Sequence, residues 1–559
     1  MITAPPASSP ASALPSSVAE RLARLAADQR AAATAPPGPV LCVAPAGSGK
    51  TTTLVARVAW LVGSGASPDE IAAITFNVRA AEELRLRLGD ALAPLDVDAA
   101  RLRVRTFHAL GREILADAGV DVSALVDRAE VVGALWPEAP PDARRRLYDL
   151  LSRLKLDRGL TLTEAERELV ESPSPALSAF AAYERELRDR GALDFDDLVG
   201  RAIAALGADE ALLERWRRRC THLLVDEVQD VDRSQLRLAL LLAQPANRIF
   251  LVGDDDQTIY GWRLADVRRV LALHTSLAGL LRVDLVTNYR CPAPVVERAV
   301  RLVSVNRERF AKRILARARA DGRLVLAPDA SDDQVRIRTV LRTWPDDGTT
   351  SAVLARTNAE LLAAVDAALD LGRPFRAPKL TLLTDDPRLD GLIERAREPI
   401  VQGLPLLVAL ERVRAAVADQ ERTCDPPEED VSLVDLAAAL LAWAPPHATL
   451  DALSEAIAAR RRRILELRRD DALLSLATIH GTKGLEFDHV AVVGMEAGRF
   501  PNDRSVGEAL EPERALEEER RLAYVAWTRA RRSLTLSFDP AVPSRFLLEA
   551  FDPAELPVA

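Results

Sequence analysis

Short β-rich apolar runs recur along this chain, each separated from the next by a longer helical pattern. The runs are Val40–Ala44, Ile71–Phe76, Leu102–Phe107, His222–Glu227, Arg248–Asp254, Ser351–Thr357, Leu474–His480, His489–Met495 and Ser533–Phe538. Strands alternating with covering helices build parallel sheets whose two faces are both buried. The 559 residues exceed what one core serves, so more than one domain is expected. The strand runs form two clusters, each interrupted by a mainly helical stretch. The expected class is α/β with two parallel-sheet cores. The first core takes residues 19–90 and 191–284 around a helical insertion at 91–190. The second takes 285–390 and 473–559 around a helical insertion at 391–472. Residues 1–18, MITAPPASSPASALPSSV, lack a basic start and an apolar stretch, and read as a disordered tail rather than a secretory signal.

Directly after the first strand run, residues 44–51 read APAGSGKT. Glycines here let backbone N–H groups curl around phosphates, and the helix that follows adds its positive end. Ala46, Gly47, Ser48 and Gly49 form the candidate cradle, with Thr52 beside it. Lys50 is placed to reach the β- and γ-phosphates of a nucleotide, and the Thr51 hydroxyl to bind Mg²⁺. Ala44 replaces the first glycine of the general pattern. The partner segment is LLVDEVQD, residues 223–230, an apolar strand that ends in adjacent carboxylates. Asp226 is placed to hold Mg²⁺ and Glu227 to orient or deprotonate water. Charge building on a transferring phosphoryl group also needs a cation, and Arg290 and Arg529 are the candidates.

Residues 252–263, VGDDDQTIYGWR, combine two kinds of chemistry. Gln257 can hydrogen-bond a phosphate oxygen or a water, while Tyr260 and Trp262 can stack on an unpaired base. One loop of this kind can tie hydrolysis to strand movement. Aromatic residues are only 4% of the chain, yet Phe76, Phe107, Phe195, Tyr260, Trp262, Tyr289, Phe487 and Phe500 all fall in such segments, whereas core filling would spread them.

The net charge of −9 speaks against a uniformly basic nucleic-acid binder, but phosphate contacts need only a local stripe. Cys42, Cys220, Cys291 and Cys424 are far apart, which argues against a zinc site and against a disulfide framework, and fits a reducing cytoplasm. No apolar run is long enough to cross a bilayer, so no membrane is expected as a partner. Of 74 basic residues only five are lysine, and one of them, Lys50, stands where a compact ammonium suits a phosphate.

Taken together, these segments resemble the UvrD/Rep/PcrA family of superfamily 1 DNA helicases, from about residue 20 to about residue 548. LAADQRAAA with Gln29 resembles the family's Q motif, which reads adenine. APAGSGKT and VDEVQD resemble its Walker A and B motifs. ITFNVRAAEEL (74–84) and VRTFHAL (104–110) resemble the DNA-contacting segments after Walker A, and LDFDDLV (193–199) the segment before Walker B. GDDDQTIYGWR is similar to the third motif. TNYRCP (287–292) and AVLARTNAE (352–360) resemble the opening of the second core. TIHGTKGLEFDHVAVVGMEAGRFP (478–501), EEERRLAYVAWTRAR (517–531) and PSRFL (543–547) resemble the remaining motifs and the ending.

The resemblance implies two RecA-like P-loop cores, ATP in the cleft between them, single-stranded DNA across their tops, and 3′→5′ translocation with unwinding at single-strand/duplex junctions. By position it implies Tyr289 stacking on adenine, Glu486 on the ribose, Gln257 sensing the γ-phosphate, and Arg290 and Arg529 as arginine fingers. It implies DNA contacts from Phe76, Asn77, Thr106, His108, Phe195, Tyr260, Trp262, Arg263 and His480. Asn77 and Val78 stand where relatives more often have Thr and Asn, and Thr52 where they commonly have arginine. The second insertion is short for the family, which leaves two readings. One is a helicase acting in repair or recombination. The other is a DNA-stimulated translocase or end-sensing subunit beside a nuclease or repair factor.

Overall fold

The computed structural model describes residues 14–423 and 432–556, which form two compact units. The first contains the chain up to Val131, Asp149–Arg290 and Asn306–Ala320; the second contains Val132–Tyr148, Cys291–Val305 and the chain from Asp321 onward. Cys424 and the Pro426–Pro427 loop lie outside the described residues. The first described helix, Ser16–Ala23, begins inside the stretch expected to be a tail, because Val18 and Leu22 bury against Leu25, Ala33 and Ala56.

The first unit carries β1 (Val40–Val43), β2 (Ile71–Thr75), β3 (Arg103–Thr106), β4 (His222–Val225), β5 (Ile249–Gly253) and β6 (Leu281–Asp284). They form one sheet in the order β3-β2-β4-β5-β1-β6, parallel throughout. Alternate strand residues feed opposite cores. Leu41, Ile74, Val225 and Leu251 join the apolar cluster on one face, and Val40, Cys42, Leu224 and Phe250 join that on the other. β1 lies between β5 and β6, in register Val43↔Gly253 and Val43↔Asp284. The loops leaving β1 and β5 are therefore neighbours, at the sheet edge where ligands bind in such folds. A two-stranded pair, β7 (Thr287–Asn288) with β8 (Leu315–Ala316), completes the unit. Thr287–Arg290, expected to open the second core, thus belongs to the first.

The second unit carries β9 (Arg323–Pro328), β10 (Ser351–Ala355), β11 (Phe375–Arg376), β12 (Leu474–Thr478), β13 (Phe487–Val492) and β14 (Ala530–Phe538). Their order is β11-β12-β10-β13-β14-β9, again parallel throughout. Between β11 and β12 stand the helices Arg388–Val401, Leu406–Thr423, Leu433–Trp443 and Leu450–Leu467. They share an apolar cluster of their own, including Leu392, Val413, Leu436 and Leu453, which makes the stretch a small helical subdomain. Among the described residues no helix is long and apolar enough to cross a membrane.

Candidate active site

The phosphate loop leaves β1 at Ala44, whose N–H donates to Gly253 O at 2.7 Å. Gly47 (φ 67) lies in the left-handed region, and Gly49 (φ 85) caps the helix Lys50–Gly63, so the chain turns tightly onto a helix N-terminus. A Cβ at Gly47 would come within 2.8 Å of Arg290 Cβ and of Asn288 Oδ1. That closeness reflects a clamp. Asn288 Nδ2 donates to Ala46 O and the Tyr289 N–H to Gly47 O, both at 2.8 Å. The Arg290 N–H donates to Asn288 Oδ1 at 2.9 Å. The NYR segment is thereby fastened to the loop, which brings Arg290 beside it and leaves the Tyr289 ring 40% exposed, available for stacking. Asn288 escaped the sequence reading because its role depends on meeting a loop 242 residues away.

Gln29 is buried, and its amide is used from both ends. Nε2 donates to Ser48 O at 2.8 Å, and Oε1 accepts from the Ala26 N–H at 3.2 Å. In this structure the residue braces the phosphate loop. Thr51 is half-buried and Thr52 exposed on the first turn of the helix.

β4 ends in the two expected carboxylates. Asp226 is buried, accepts the Glu227 N–H at 2.9 Å, and has its pKa raised to about 7, first by burial and then by the Glu227 charge. Glu227 has φ 51, a left-handed conformation that costs a non-glycine residue energy and turns its side chain toward Lys50. Lys50 Nζ lies 3.3 Å from Glu227 Oε2, which also accepts from Gln229 Nε2 at 2.5 Å. A hydroxyl at Thr51 and a carboxylate at Asp226 are the hard oxygen donors Mg²⁺ takes, and a buried carboxylate with so raised a pKa is relieved by a cation. Among the described residues no group of three His, Cys, Asp or Glu side chains is placed to hold a metal, so such a cation would draw its other ligands from water and phosphate.

The loop after β5 is buried at its start and exposed at its end. Gln257 is 3% exposed, and its Nε2 donates to Asp254 Oδ2 at 2.7 Å. Asp254 Oδ1 in turn accepts from Lys312 Nζ at 2.8 Å. The Lys312 side chain is fully buried and pairs with Asp255 and Asp256 as well, while Arg309 grips Asp256 at 2.9 and 2.7 Å. Lys312 was legible only through the scarcity of lysine: a compact three-donor ammonium fits three converging carboxylates where a planar guanidinium does not.

Three residues further on the ring cluster begins. Phe76 and Tyr260 stack at 5.2 Å with 13° between planes, and Trp262 meets Tyr260 edge-on at 6.1 Å. The Arg263 guanidinium lies 4.7 Å over the Trp262 ring, and Trp262 is 63% exposed. An exposed tryptophan with a cation on one face suits an unpaired base and its phosphate. Phe195 and His108 stack at 4.0 Å, and the Phe195 ring is 58% exposed. Asp194 and Asp196 on either side of Phe195 are both held by Arg128, at 2.7 and 2.6 Å, so the ring is kept out in solvent. Burial lowers the pKa of both His108 and His480 to about 4, so neither brings positive charge to a strand at neutral pH. The Asn77 and Thr106 side chains serve as helix N-caps, accepting from Ala80 and Ala109 N–H groups at 2.9 and 3.2 Å.

In the second unit Arg529 is buried, with Nε donating to Val525 O at 2.9 Å and Nη1 to Leu485 O at 3.1 Å. Glu486 pairs with Arg531. His480 sits on the short 3₁₀ turn Ile479–Thr482 after β12.

Comparison with known proteins agrees with this geometry. Residues 25–278 match the UvrD/REP helicase N-terminal domain, and residues 444–540 the UvrD-like helicase C-terminal domain. The chain is 31% identical to the ATP-dependent DNA helicase UvrD2 of Mycobacterium tuberculosis, over 94% of this chain and 81% of that one. It is 27% identical to DNA helicase II of Escherichia coli, over 91% of this chain and 84% of the relative. It is 27% identical to the ATP-dependent DNA helicase Rep of the same organism, over 92% of each. With a phosphate loop, paired carboxylates and a ring cluster on one sheet, and with matches along most of its length, the chain belongs to the UvrD/Rep family of ATP-dependent DNA helicases.

Proposed function

We propose that this protein hydrolyses ATP to move 3′→5′ along single-stranded DNA and opens duplex at single-strand/duplex junctions, in DNA repair or recombination. The observation that carries the reading is the loop after β5, in which Gln257, buried beside Asp254, and the exposed Trp262 stand five residues apart. Direction and setting follow from the likeness of the motifs.

In this reading Lys50 exchanges Glu227 for phosphate oxygens when nucleotide binds. Glu227, released from that ion pair, then takes the proton of the attacking water. Thr51 and Asp226 hold Mg²⁺, which supplies neutralising charge on the phosphates. Arg290, fastened beside the loop through Asn288, and Arg529 are assigned the cationic roles. Gln257 reports the phosphate, and Phe76, Tyr260, Trp262 and Phe195 grip bases without regard to sequence. Gln29 is assigned a contact to adenine beside its bracing of the loop, with Tyr289 stacking on the ring and Glu486 on the ribose. Asn77, Thr106, His108, Arg263 and His480 complete the strand contacts.

The test is unwinding by the purified protein of duplexes carrying a 3′ tail, a 5′ tail or no tail, with ATP and Mg²⁺. Opening of the 3′-tailed DNA alone is expected; preference for the 5′ tail would overturn the direction. Replacing the DNA tail by RNA reads the choice of track. A second reading, translocation without strong unwinding as one subunit beside a nuclease or repair factor, is favoured by the compactness of the four-helix insertion at 388–467. ATPase stimulated by single strands, with none of the duplexes opened, would select it.

A further inference from the structure

Gln229 is fully buried in the short turn Val228–Asp230 that follows the candidate base, and its amide touches both halves of the site. Nε2 donates to Glu227 Oε2 at 2.5 Å, and Oε1 accepts from the Asp254 N–H at 3.0 Å. The orientation is fixed by chemistry. A flipped amide would set its NH₂ against an N–H and its oxygen against a carboxylate. The neighbouring backbone makes room for this side chain, since a Cβ at Gly253 would overlap Gln229 Oε1 and stand 2.9 Å from Val228 Cγ1.

Each end of the link is stiff. On one side Glu227 is held in a left-handed backbone conformation beside Lys50. On the other, Asp254 holds Gln257 by one oxygen at 2.7 Å and is held by buried Lys312 through the other at 2.8 Å. The Lys312 ammonium locks Asp255 and Asp256 into the same knot. From that knot the chain runs through the turn Asp255–Gln257 to Tyr260 and Trp262. One buried side chain thus links Glu227 by two hydrogen bonds to the segment that leads to the ring cluster.

We infer that Gln229 is a positioning residue that sets the Glu227 carboxylate for hydrolysis and passes strand occupancy at Tyr260–Trp262 to it. The inference rests on the function proposed above and adds to it the part that joins the two sites. Gln229 touches neither nucleotide nor strand in this account, so its loss falls on turnover and not on binding.

The experiment compares wild type, Gln229→Leu and Gln229→Glu in the full chain. It measures ATP hydrolysis with and without a thymidine oligonucleotide, affinity for a fluorescent ATP analogue, and thermal melting. Gln229→Leu removes both of these hydrogen bonds, and a longer one to Asp230 Oδ2 at 3.5 Å, at nearly constant volume. Gln229→Glu keeps the acceptor for the Asp254 N–H and replaces the donor to Glu227 with an opposing carboxylate, so it breaks the same link by a different chemistry where the leucine variant fails to fold. For either variant the strand-stimulated kcat is expected to fall about tenfold to a hundredfold, the worth of one hydrogen bond to a charged group. KM for ATP and analogue affinity are expected to stay within about threefold of wild type. Wild-type stimulated kcat in a folded variant overturns the inference. Loss of analogue affinity in step with kcat and melting also overturns it, by showing a merely structural residue. A wild-type protein without strand-stimulated hydrolysis overturns the functional reading itself, a result distinct from both.

Discussion

Just after β4, Glu227 pairs with Lys50 at 3.3 Å, while the adjacent, buried Asp226 has its pKa raised to about 7 by burial and by the Glu227 charge. In the second unit Arg356, just past the end of β10, donates through Nε and Nη2 at 2.9 and 2.7 Å to Glu519 on the helix Pro512–Trp527, which also accepts the Asn502 N–H at 3.1 Å. Glu496, after β13, takes Arg336, Arg499 and the Asp539 N–H. Both sheets are six-stranded and parallel, and both have acidic residues just beyond a strand, Asp226 and Glu227 after β4 and Glu496 after β13. In the second unit the acids are matched by guanidinium groups and backbone N–H groups, and their work is to hold helices on the sheet. In the first, Asp226 is buried beside the Glu227 charge and its pKa is raised, an electrostatic cost that a ligand with its own cation would relieve. Like folds therefore part company in how fully their buried charges are balanced.

The sharpest way to break this comparison is Lys50→Ala, which removes the ammonium paired with Glu227. Hydrolysis is expected to drop by at least on the order of 10²–10³-fold with melting little changed, and a steady-state ATPase assay reads it. Wild-type turnover would show that this arrangement serves no nucleotide. In the second unit the corresponding change is Arg356→Ala, which takes the guanidinium from buried Glu519 and leaves it the Asn502 N–H. Its expected effect is on stability, about 3–5 kcal/mol lost in denaturant unfolding. A neutral result would mean that this pair holds nothing together.

Trp262→Ala sharpens the comparison within the first unit. Loss of one exposed stacking ring is expected to weaken single-strand binding by about 1–3 kcal/mol, and to lower strand-stimulated hydrolysis more than the basal rate. Fluorescence anisotropy with a labelled oligonucleotide checks the affinity. Equal loss of both rates would make Trp262 a packing residue.

The smallest effect comes from the buried acid of the first site. Folded Asp226 holds its proton to about pH 7, whereas an unfolded aspartate releases it near the ordinary value of about 4. Between those values the folded state binds more protons than the unfolded, so this group's contribution to stability falls as pH rises across that interval and stays lost above it. Asp226→Asn is therefore expected to melt roughly 2–4 °C higher than wild type at about pH 8 without nucleotide or Mg²⁺, with the difference closing toward pH 4. A lower melting temperature at about pH 8 would mean that the carboxylate is already balanced.

The architecture was readable from the chain because it lives in local patterns. Each of the nine expected strands forms, since their apolar runs are buried in the sheets. The strands that escaped notice are pairs of residues or sheet edges. β6 and β9 sit at the ends of their sheets, with Leu281 and Arg323 exposed, and so lack the apolar signature of an interior strand. What the sequence could not display is the bracing. Asn288 on Ala46, Gln229 between Glu227 and Asp254, and Lys312 among three aspartates act across gaps of 242, 25 and about 57 residues, where no motif spacing operates. Lysine scarcity was the one available clue. Besides Lys50 and Lys312, Lys155 is also buried, bridging Glu184, Asp194 and Asp197 at 2.7, 3.1 and 2.9 Å behind the exposed Phe195.

In the proposed function a strand on the ring cluster and a nucleotide on the phosphate loop act through one connected site. The most direct test is the rate of ATP hydrolysis by the purified chain as a thymidine oligonucleotide is titrated in. A saturable rise in kcat, lost when Trp262 is replaced by alanine, is the predicted result. A rate that stays flat through concentrations at which the oligonucleotide is bound would contradict the account.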